Sequence, residues 1–253
     1  MRRLFPESAG DDREWELSEL ADAYAYPEDQ PSGDGWLRAN MVSSADGAAH
    51  HGGRSKPLSG PADMRIFGVL RALADVVIVG AETVREERYR PARRRAQFAE
   101  RRLAAGQTTV PAIAVVSASL HLDFGLPLFT EPVVPTLVIT GARAPRAGLA
   151  AAAAAGVEVV TAGEEAMVAP ERLKSALAAR GHRRMLTEGG PRLLGLLASA
   201  GVVDELCLTV SPRVTVGTAP RVMSGPEVAD PSDLVLTDVL EESGFLFNRY
   251  RRV

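Results

Sequence analysis

The chain alternates two kinds of apolar spacing. Short apolar runs bounded by Gly, Pro or polar residues occur at "GWLRANMVSS", "DVVIVG", "PAIAVVS", "PTLVIT", "VEVVT", "RRMLTEGG" and "VDELCLTVSP". Runs of this length predict strands, and continuous Val, Ile and Leu predict burial on both faces, as in a parallel sheet. Between them, apolar residues return every three or four positions. "PADMRIFGVLRALA" opens with a Pro suited to a first helical turn and carries Met64, Phe67, Leu70, Arg71 and Leu73 at helical spacing. "AETVREERY" begins a helical turn, and "RRRAQFAERRLAAG" reads as a charged surface helix or an extended loop. Helices are also expected over residues 147–155, closed by Gly156, in "PERLKSALAARG", closed by Gly181, and in "PRLLGLLASAG". The C-terminal "LVLTDVLEESGFLFNRYRRV" predicts two strands with a turn near residues 242–244.

Strands alternating with helices specify an α/β fold: a mainly parallel central sheet, helices on both faces, and an antiparallel C-terminal edge. Residues 1–35 are polar, with Pro27, Pro31, Gly33 and Gly35, and read as an N-terminal arm holding one short helix over residues 14–25. No repeat and no linker composition follows, so residues 36–253 are expected to be one domain.

Composition removes several function classes. With 46% hydrophobic and 24% charged residues, the chain has the makings of a large soluble core. A net charge of −3 leaves no excess of Lys and Arg to neutralise phosphates, so no nucleic-acid partner is expected. Cys207 is the one cysteine and sits in a strand-like run, where burial makes it inert. The four histidines, His50, His51, His121 and His182, lack ligand spacing, so no metal is expected and the His50–His51 pair reads as a surface feature. No apolar segment near the amino end matches a secretory signal, and residues 150–155, the longest Ala run, fall far short of about 20 residues for a membrane span. A cytoplasmic protein is the expectation.

The chemistry concentrates where strands end. "MLTEGGPRLL" places Glu188, Gly189, Gly190 and Pro191 between a strand and a helix, with no Ser, Cys or His nucleophile among them. Two residues without Cβ let backbone approach a ligand closely, and a helix start with Pro at its first position presents amides to an anion. A plain strand-to-helix turn explains the same residues equally well. "VIVGAETV" repeats the pattern with Gly80 at a strand end, and "VVSASL" places Ser117 past another. Together these corners suit a dinucleotide, although neither G-x-G-x-x-G nor a P-loop is present.

Three stretches together resemble the reductase domain of bacterial riboflavin biosynthesis: "MVSSADGAAHHGGRSKPLSGPAD", "LRALADVVIVGAETVREERYRP" and "MLTEGGPRLLGLLASAGVVDELCLTVSPRV". The similarity runs from about residue 37 to the C-terminus. It rests on the order S-x-D-G, G-x-x-T-V, E-G-G-P and V-V-D-E-L, the last in place of the family's L-V-D-E-L. The resemblance implies a dihydrofolate-reductase-like fold and an NADPH-dependent reduction of 5-amino-6-(5-phosphoribosylamino)uracil to its ribitylamino form. It implies a homodimer as well. The H-x-E and P-C-x-x-C pieces of a zinc deaminase, often joined to such reductases, are absent from this sequence, so a stand-alone reductase is expected.

Position by position, the resemblance puts Val42 and Ser44, with Asp46 and Gly47, beside the nicotinamide. Thr83 and Glu87 match cofactor contacts, Glu87 standing where the family more often has Asp. Ser117 matches the adenosine side, and the stretch from Gly190 through Leu196, including Pro191, Arg192 and Leu193, matches the pyrophosphate turn and helix. Ser55, Arg71, Arg94 and Glu188 match substrate contacts, with Arg90, Arg93 and Arg95 as alternatives to Arg94. The family often has an aromatic where this chain has Pro57, and Asp-Pro where it continues "RYRPARRR".

Hydride transfer from a cofactor needs no protein nucleophile, which accounts for the make-up of the glycine turn. A proton must still reach the substrate, and Asp46 and Glu188 are the available carboxylates, as general acid, water-orienting group or ring ligand. Asp46 reads equally as a turn residue before Gly47. Arg71 reads as a snorkelling surface arginine or, with the resemblance, as a substrate ligand. Two other functions remain open on sequence: reduction of a dihydrofolate-like or other pterin or pyrimidine ring, and non-catalytic NADPH binding.

Overall fold

The computed structural model describes residues 1–6, 15–28 and 33–253; part of the helix expected over residues 14–25 thus lies outside the described residues. The strands are β1 (Arg2–Phe5), β2 (Trp36–Ser44), β3 (Val76–Gly80), β4 (Ala112–Val116), β5 (Leu137–Thr140), β6 (Glu158–Thr161), β7 (Arg184–Thr187), β8 (Glu205–Ser211), β9 (Leu234–Glu242) and β10 (Phe245–Arg252). The helices are α1 (Leu17–Ala23), α2 (Pro61–Leu73), α3 (Ala81–Glu86), α4 (Ala99–Ala104), α5 (Pro127–Thr130), α6 (Arg146–Ala154), α7 (Pro170–Ala178) and α8 (Pro191–Ser199). They divide between two compact units, one drawn from Met1–Pro27, Leu37–Arg71 and Thr187–Val253, the other from Glu28–Trp36 and Ala72–Leu186. Each unit is assembled from separated segments, so no linker composition marks the division along the chain.

The second unit carries the strand order β7-β3-β4-β5-β6. β3 with β4, β4 with β5 and β5 with β6 all run parallel. Val76, Val77, Ile78 and Val79 and all of β4 and β5 are buried, as the continuous apolar runs require. Asp75 latches the start of β3. Its carboxylate accepts from the backbone N–H groups of Arg183 (3.0 Å) and Arg184 (2.7 Å), from the Arg184 guanidinium (3.1 Å) and from Gln107 (2.7 Å). The "RRRAQFAERRLAAG" stretch is a 3-10 turn, Ala96–Phe98, followed by α4. It is less exposed than a charged surface helix: Phe98 and Arg102 are buried, and Arg102 donates to the carbonyls of Ala72, Ala74 and Thr108.

The first unit carries the order β1-β9-β10-β8-β2. Only β2 and β8 pair in parallel; β8 with β10, β10 with β9 and β9 with β1 are antiparallel. The β9–β10 hairpin closes through Ser243 (φ 55°) and Gly244 (φ 80°), the left-handed pair of a tight hairpin turn, where the sequence places it. The polar amino-terminal stretch also contributes β1, which the apolar pattern does not reveal because four exposed or half-buried residues carry no periodic signal.

α2 buries Ala62, Ile66, Val69, Leu70 and Leu73, whereas Met64, expected on the apolar face, is 51% exposed. In a helix this rich in apolar residues, spacing leaves the buried face ambiguous by most of a turn. α8 buries Leu193, Leu194 and Leu197. On its other side a Cβ at Gly195 would lie 2.3 Å from the carbonyl oxygen of Ser224, and Ser224 N–H donates to Pro191 O at 3.0 Å. Gly195→Ala is therefore expected to destabilise by about 1–3 kcal/mol through overpacking. Helix propensity alone would favour Ala by up to about 1 kcal/mol. A denaturant titration reads the sign directly.

One ion pair dominates the core of this unit. Arg38 on β2 and Glu205 on β8 stand in register, fully buried, with Nε and Nη2 donating to the carboxylate at 3.0 and 3.2 Å. Arg38 also donates to Tyr24 O at 2.7 Å and stacks on Tyr26, while Arg249 donates to Ala23 O and to Asp238. These guanidinium groups satisfy carbonyls that α1 leaves unpaired at its end.

Candidate active site

β2 ends in the first unit at Ser44, a buried residue whose hydroxyl donates to Asp46 at 2.5 Å and accepts from Ala48 N–H at 2.9 Å. Val42 lies half-buried two residues earlier. Asp46 is exposed and also accepts from the backbone N–H of Val216 (2.7 Å) and of Thr215 (3.2 Å). The Ser44 hydroxyl first, then these two amides, hold its carboxyl down to about 2. At neutral pH Asp46 is thus an acceptor that fastens two loops, with no proton to donate. Its depressed value fixes the sign of a pH effect. The clasp is complete above the ordinary carboxyl pKa of about 3.9 and weakens as pH falls through the folded value. The Val216 amide shift should titrate in NMR with a midpoint near 2, and Asp46→Asn should abolish that titration.

Two residues that the sequence places at the substrate come together. Arg71, in the last turn of α2, donates Nε and Nη2 to the two carboxylate oxygens of Glu188, each at 2.6 Å. The Glu188 side chain is 6% exposed and that of Arg71 is 21%. Phe67, one helical turn earlier, lies 4.5 Å beneath the guanidinium, which explains an arginine on an otherwise apolar stripe. The pair presents a fixed array of donors and an anionic acceptor side by side.

The glycine turn follows at once. Gly189 N–H donates to Thr187 Oγ1 at 3.3 Å, and the Gly189–Gly190 peptide is cis. Gly189 has φ +79°, a conformation that favours glycine, and a Cβ there would stand 3.0 Å from the Met41 sulfur, which would have to give way slightly. Gly190 caps α8, Pro191 opens it, and the first helical bond runs from Leu194 N–H to Gly190 O. The amides of Arg192 and Leu193 therefore head a helix with no acidic residue in its first turn. This turn, with a left-handed glycine and helix amides at its head, has the make-up of a pyrophosphate cradle.

Ser55 precedes the 3-10 turn Lys56–Leu58 and is half-buried. Arg213 donates to the carbonyls of Pro57 and Ser59, a contact that no sequence motif signals.

The second unit holds the remaining candidates. Gly80 ends β3 opposite Val116 of β4, so Gly80 and Ser117 stand at the same end of parallel strands. Thr83 lies in the first turn of α3 and Glu87 caps its end, with Glu87 N–H donating to Thr83 O at 2.9 Å. Ser117 is buried, and its hydroxyl accepts from Leu120 N–H at 3.0 Å. Arg90, Arg93 and Arg94 line one cavity of about 310 Å³ with Pro127, Glu131 and Val133. Three of the four interchangeable arginines thus converge, and Arg95 is outside that lining.

His50 is half-buried, and burial, then the Glu205 charge, pushes the Cys207 thiol far up. Among the described residues no group of His, Cys, Asp and Glu could hold a metal ion, and no helix is long and apolar enough to cross a membrane.

The chain is similar to proteins of known chemistry. A 2,5-diamino-6-ribosylamino-4(3H)-pyrimidinone 5′-phosphate reductase from Aquifex aeolicus is 30% identical over 188 residues, covering 72% of this chain and 79% of that protein. The protein of the same name from Archaeoglobus fulgidus is 29% identical over 178 residues, covering 70% and 80%. Among solved structures, a pyrimidine reductase-like protein from Corynebacterium diphtheriae superposes with a TM-score of 0.80 at 28% identity, covering 92% of this chain and 98% of that one. The family model described as the RibD C-terminal domain matches residues 35–241. With the α/β architecture, the mainly parallel strands, the antiparallel C-terminal strands and the E-G-G-P turn in place, the chain belongs to the RibD C-terminal domain family.

Proposed function

We propose that this protein is an NADPH-dependent reductase of riboflavin biosynthesis, acting on a pyrimidine ribosylamine 5′-phosphate. The observation that carries the reading is the Arg71–Glu188 fork, 2.6 Å at both contacts and largely buried beside the glycine turn. A pyrimidine ring edge carries donors and acceptors in alternation, and a fixed guanidinium–carboxylate pair meets that pattern with both kinds of group. NADPH, when bound, supplies the hydride. Within the first unit, Gly189, Gly190, Pro191, Arg192 and Leu193 would hold its pyrophosphate through backbone amides, and Val42 and Ser44 would flank its nicotinamide; the sequence resemblance implies further cofactor contacts at Gly80, Thr83, Glu87 and Ser117. Ser55 would bind the substrate, for which the sequence resemblance implies a further contact at Arg94, with Arg90 or Arg93 as alternatives.

In this reading Asp46 sets the position of its loop, because a carboxyl held near 2 has no proton to give at neutral pH. Glu188, ion-paired to Arg71, orients the ring. The proton that completes the reduction then comes from a water molecule in the site.

The ring is either the diaminopyrimidinone of the relatives' names or the uracil implied by the sequence motifs; the two differ at ring C2, amino in one and oxo in the other. NADPH oxidation followed at 340 nm with each phosphate, and with dihydrofolate, separates the readings. Turnover of either ribosylamine phosphate is expected, and turnover of dihydrofolate alone would overturn the assignment. Homodimerisation belongs to the same proposal. Among the described residues β1 pairs with β9 near Val239–Glu241, while Leu234 and Val235 farther along β9 are exposed, and sedimentation should give twice the chain mass.

A further inference from the structure

Arg213 opens the segment that follows β8. Two loops of the first unit meet through it: residues 45–60, which carry Asp46 and Ser55, and residues 212–220. In one direction Asp46 accepts from the backbone N–H groups of Thr215 and Val216. In the other, Arg213 Nη1 donates to the carbonyl of Pro57 and to that of Ser59, the latter at 3.1 Å. Two backbone bonds lie between these side-chain bonds, Ala45 N–H to Arg213 O at 2.8 Å and Ala49 N–H to Pro220 O at 2.9 Å. The Phe245 ring centre lies 6.0 Å from the guanidinium, and a Cβ at Gly60 would come within 2.8 Å of the same ring. Val216 has φ 55°, a left-handed conformation that a β-branched residue adopts only where its surroundings over-determine it.

The two loops therefore hold each other reciprocally, an acid of the first on amides of the second and a base of the second on carbonyls of the first. We infer that Arg213 is a positioning residue of the proposed site: through Pro57 and Ser59 it fixes the turn that presents Ser55 to the phosphorylated pyrimidine. The inference rests on the functional reading above. Leu58, 1% exposed, anchors the middle of that turn in the core, so the carbonyls on either side of it set the direction in which Ser55 stands.

Wild type, Arg213→Lys and Arg213→Ala, each as the full chain, should be compared by amide hydrogen exchange over residues 54–60 and by steady-state kinetics. In Arg213→Ala the exchange of these amides is expected to speed up about tenfold. The KM for the pyrimidine should rise about tenfold, with kcat within about threefold and the KM for NADPH within about twofold. Arg213→Lys should recover most of both effects, because both bonds come from a single nitrogen that an ammonium can replace. Unchanged exchange in Arg213→Ala overturns the inference, as does faster exchange with an unaltered pyrimidine KM. A parallel rise in both KM values marks a merely structural role and also overturns it. A wild type that turns over neither pyrimidine sinks the functional reading instead, and the exchange data then decide alone whether Arg213 holds the turn.

Discussion

Glu205→Gln is expected to lower the free energy of unfolding by about 3–5 kcal/mol, the cost of removing one partner from a buried ion pair. The carboxylate lies between β2 and β8 with Arg38 at 3.0 Å and with Arg249 and Arg251 each at 4.0 Å. Removing its charge leaves buried guanidinium groups facing one another. Burial alone would push the Glu205 carboxyl up. The Arg38 charge, followed by Arg249, outweighs burial and holds it below its usual value. A depressed carboxyl contributes stability that is present above the unfolded pKa of about 4.3 and is lost as pH falls through the folded value. The variant should therefore lose the difference from wild type at acid pH, and denaturant midpoints at pH 7 and pH 3 measure it. A paired replacement, Arg38→Met with Glu205→Leu, should recover most of the loss, since apolar groups of similar volume carry no desolvation penalty. A single variant within about 0.5 kcal/mol of wild type, the range of ordinary surface substitutions, would refute this account of the core.

Arg71→Ala should reduce kcat/KM for the phosphorylated pyrimidine on the order of 100-fold. Truncating one partner of a buried, hydrogen-bonded charge pair costs about 2–5 kcal/mol, and each 1.4 kcal/mol is about a factor of ten. Both substrate-side groups suffer at once, because Glu188 loses the two-pronged contact that fixes its carboxylate. The effect should fall mainly on the substrate KM, with NADPH affinity nearly unchanged. Arg71→Lys keeps the charge but not the two-pronged contact, and should recover less than half of the loss in free-energy terms. Equal weakening of substrate and NADPH would contradict the role assigned to the fork.

Much of this architecture is legible along the chain. "DVVIVG", "PAIAVVS" and "PTLVIT" become β3, β4 and β5 because a strand buried on both faces has no polar position to interrupt its run. The Ser243–Gly244 turn is legible for a comparable reason, since left-handed backbone selects its residues locally. The α2 face is legible only in part: Leu70 and Leu73 are buried as their spacing predicts, while Met64 is exposed and Ala62, Ile66 and Val69 fill the core side. Arg102 likewise looks like a surface charge until the carbonyls of Ala72, Ala74 and Thr108 are found around it.

The candidate site divides in the same way. The corners at Gly80, Ser117 and Gly189–Gly190 announce themselves by the absence or small size of side chains. Arg71 and Glu188, 117 positions apart, could each be marked as chemically interesting, but not as partners. Arg213 lies inside a stretch that carries the family resemblance, but nothing around it in sequence marks Pro57 and Ser59 as its partners.

By itself, then, the sequence determined the alternation of strands and helices, the bare corners after the strands and the order of motifs that assigns the family. These depend on spacing and conformational preference within a few residues. The tertiary structure alone decided which charge meets which: Arg71 with Glu188, Arg38 with Glu205 across 167 residues, Asp46 with the amides of Thr215 and Val216. Those pairings follow from strand register and loop packing, where a shift of one residue exchanges every partner, and no local composition encodes that choice.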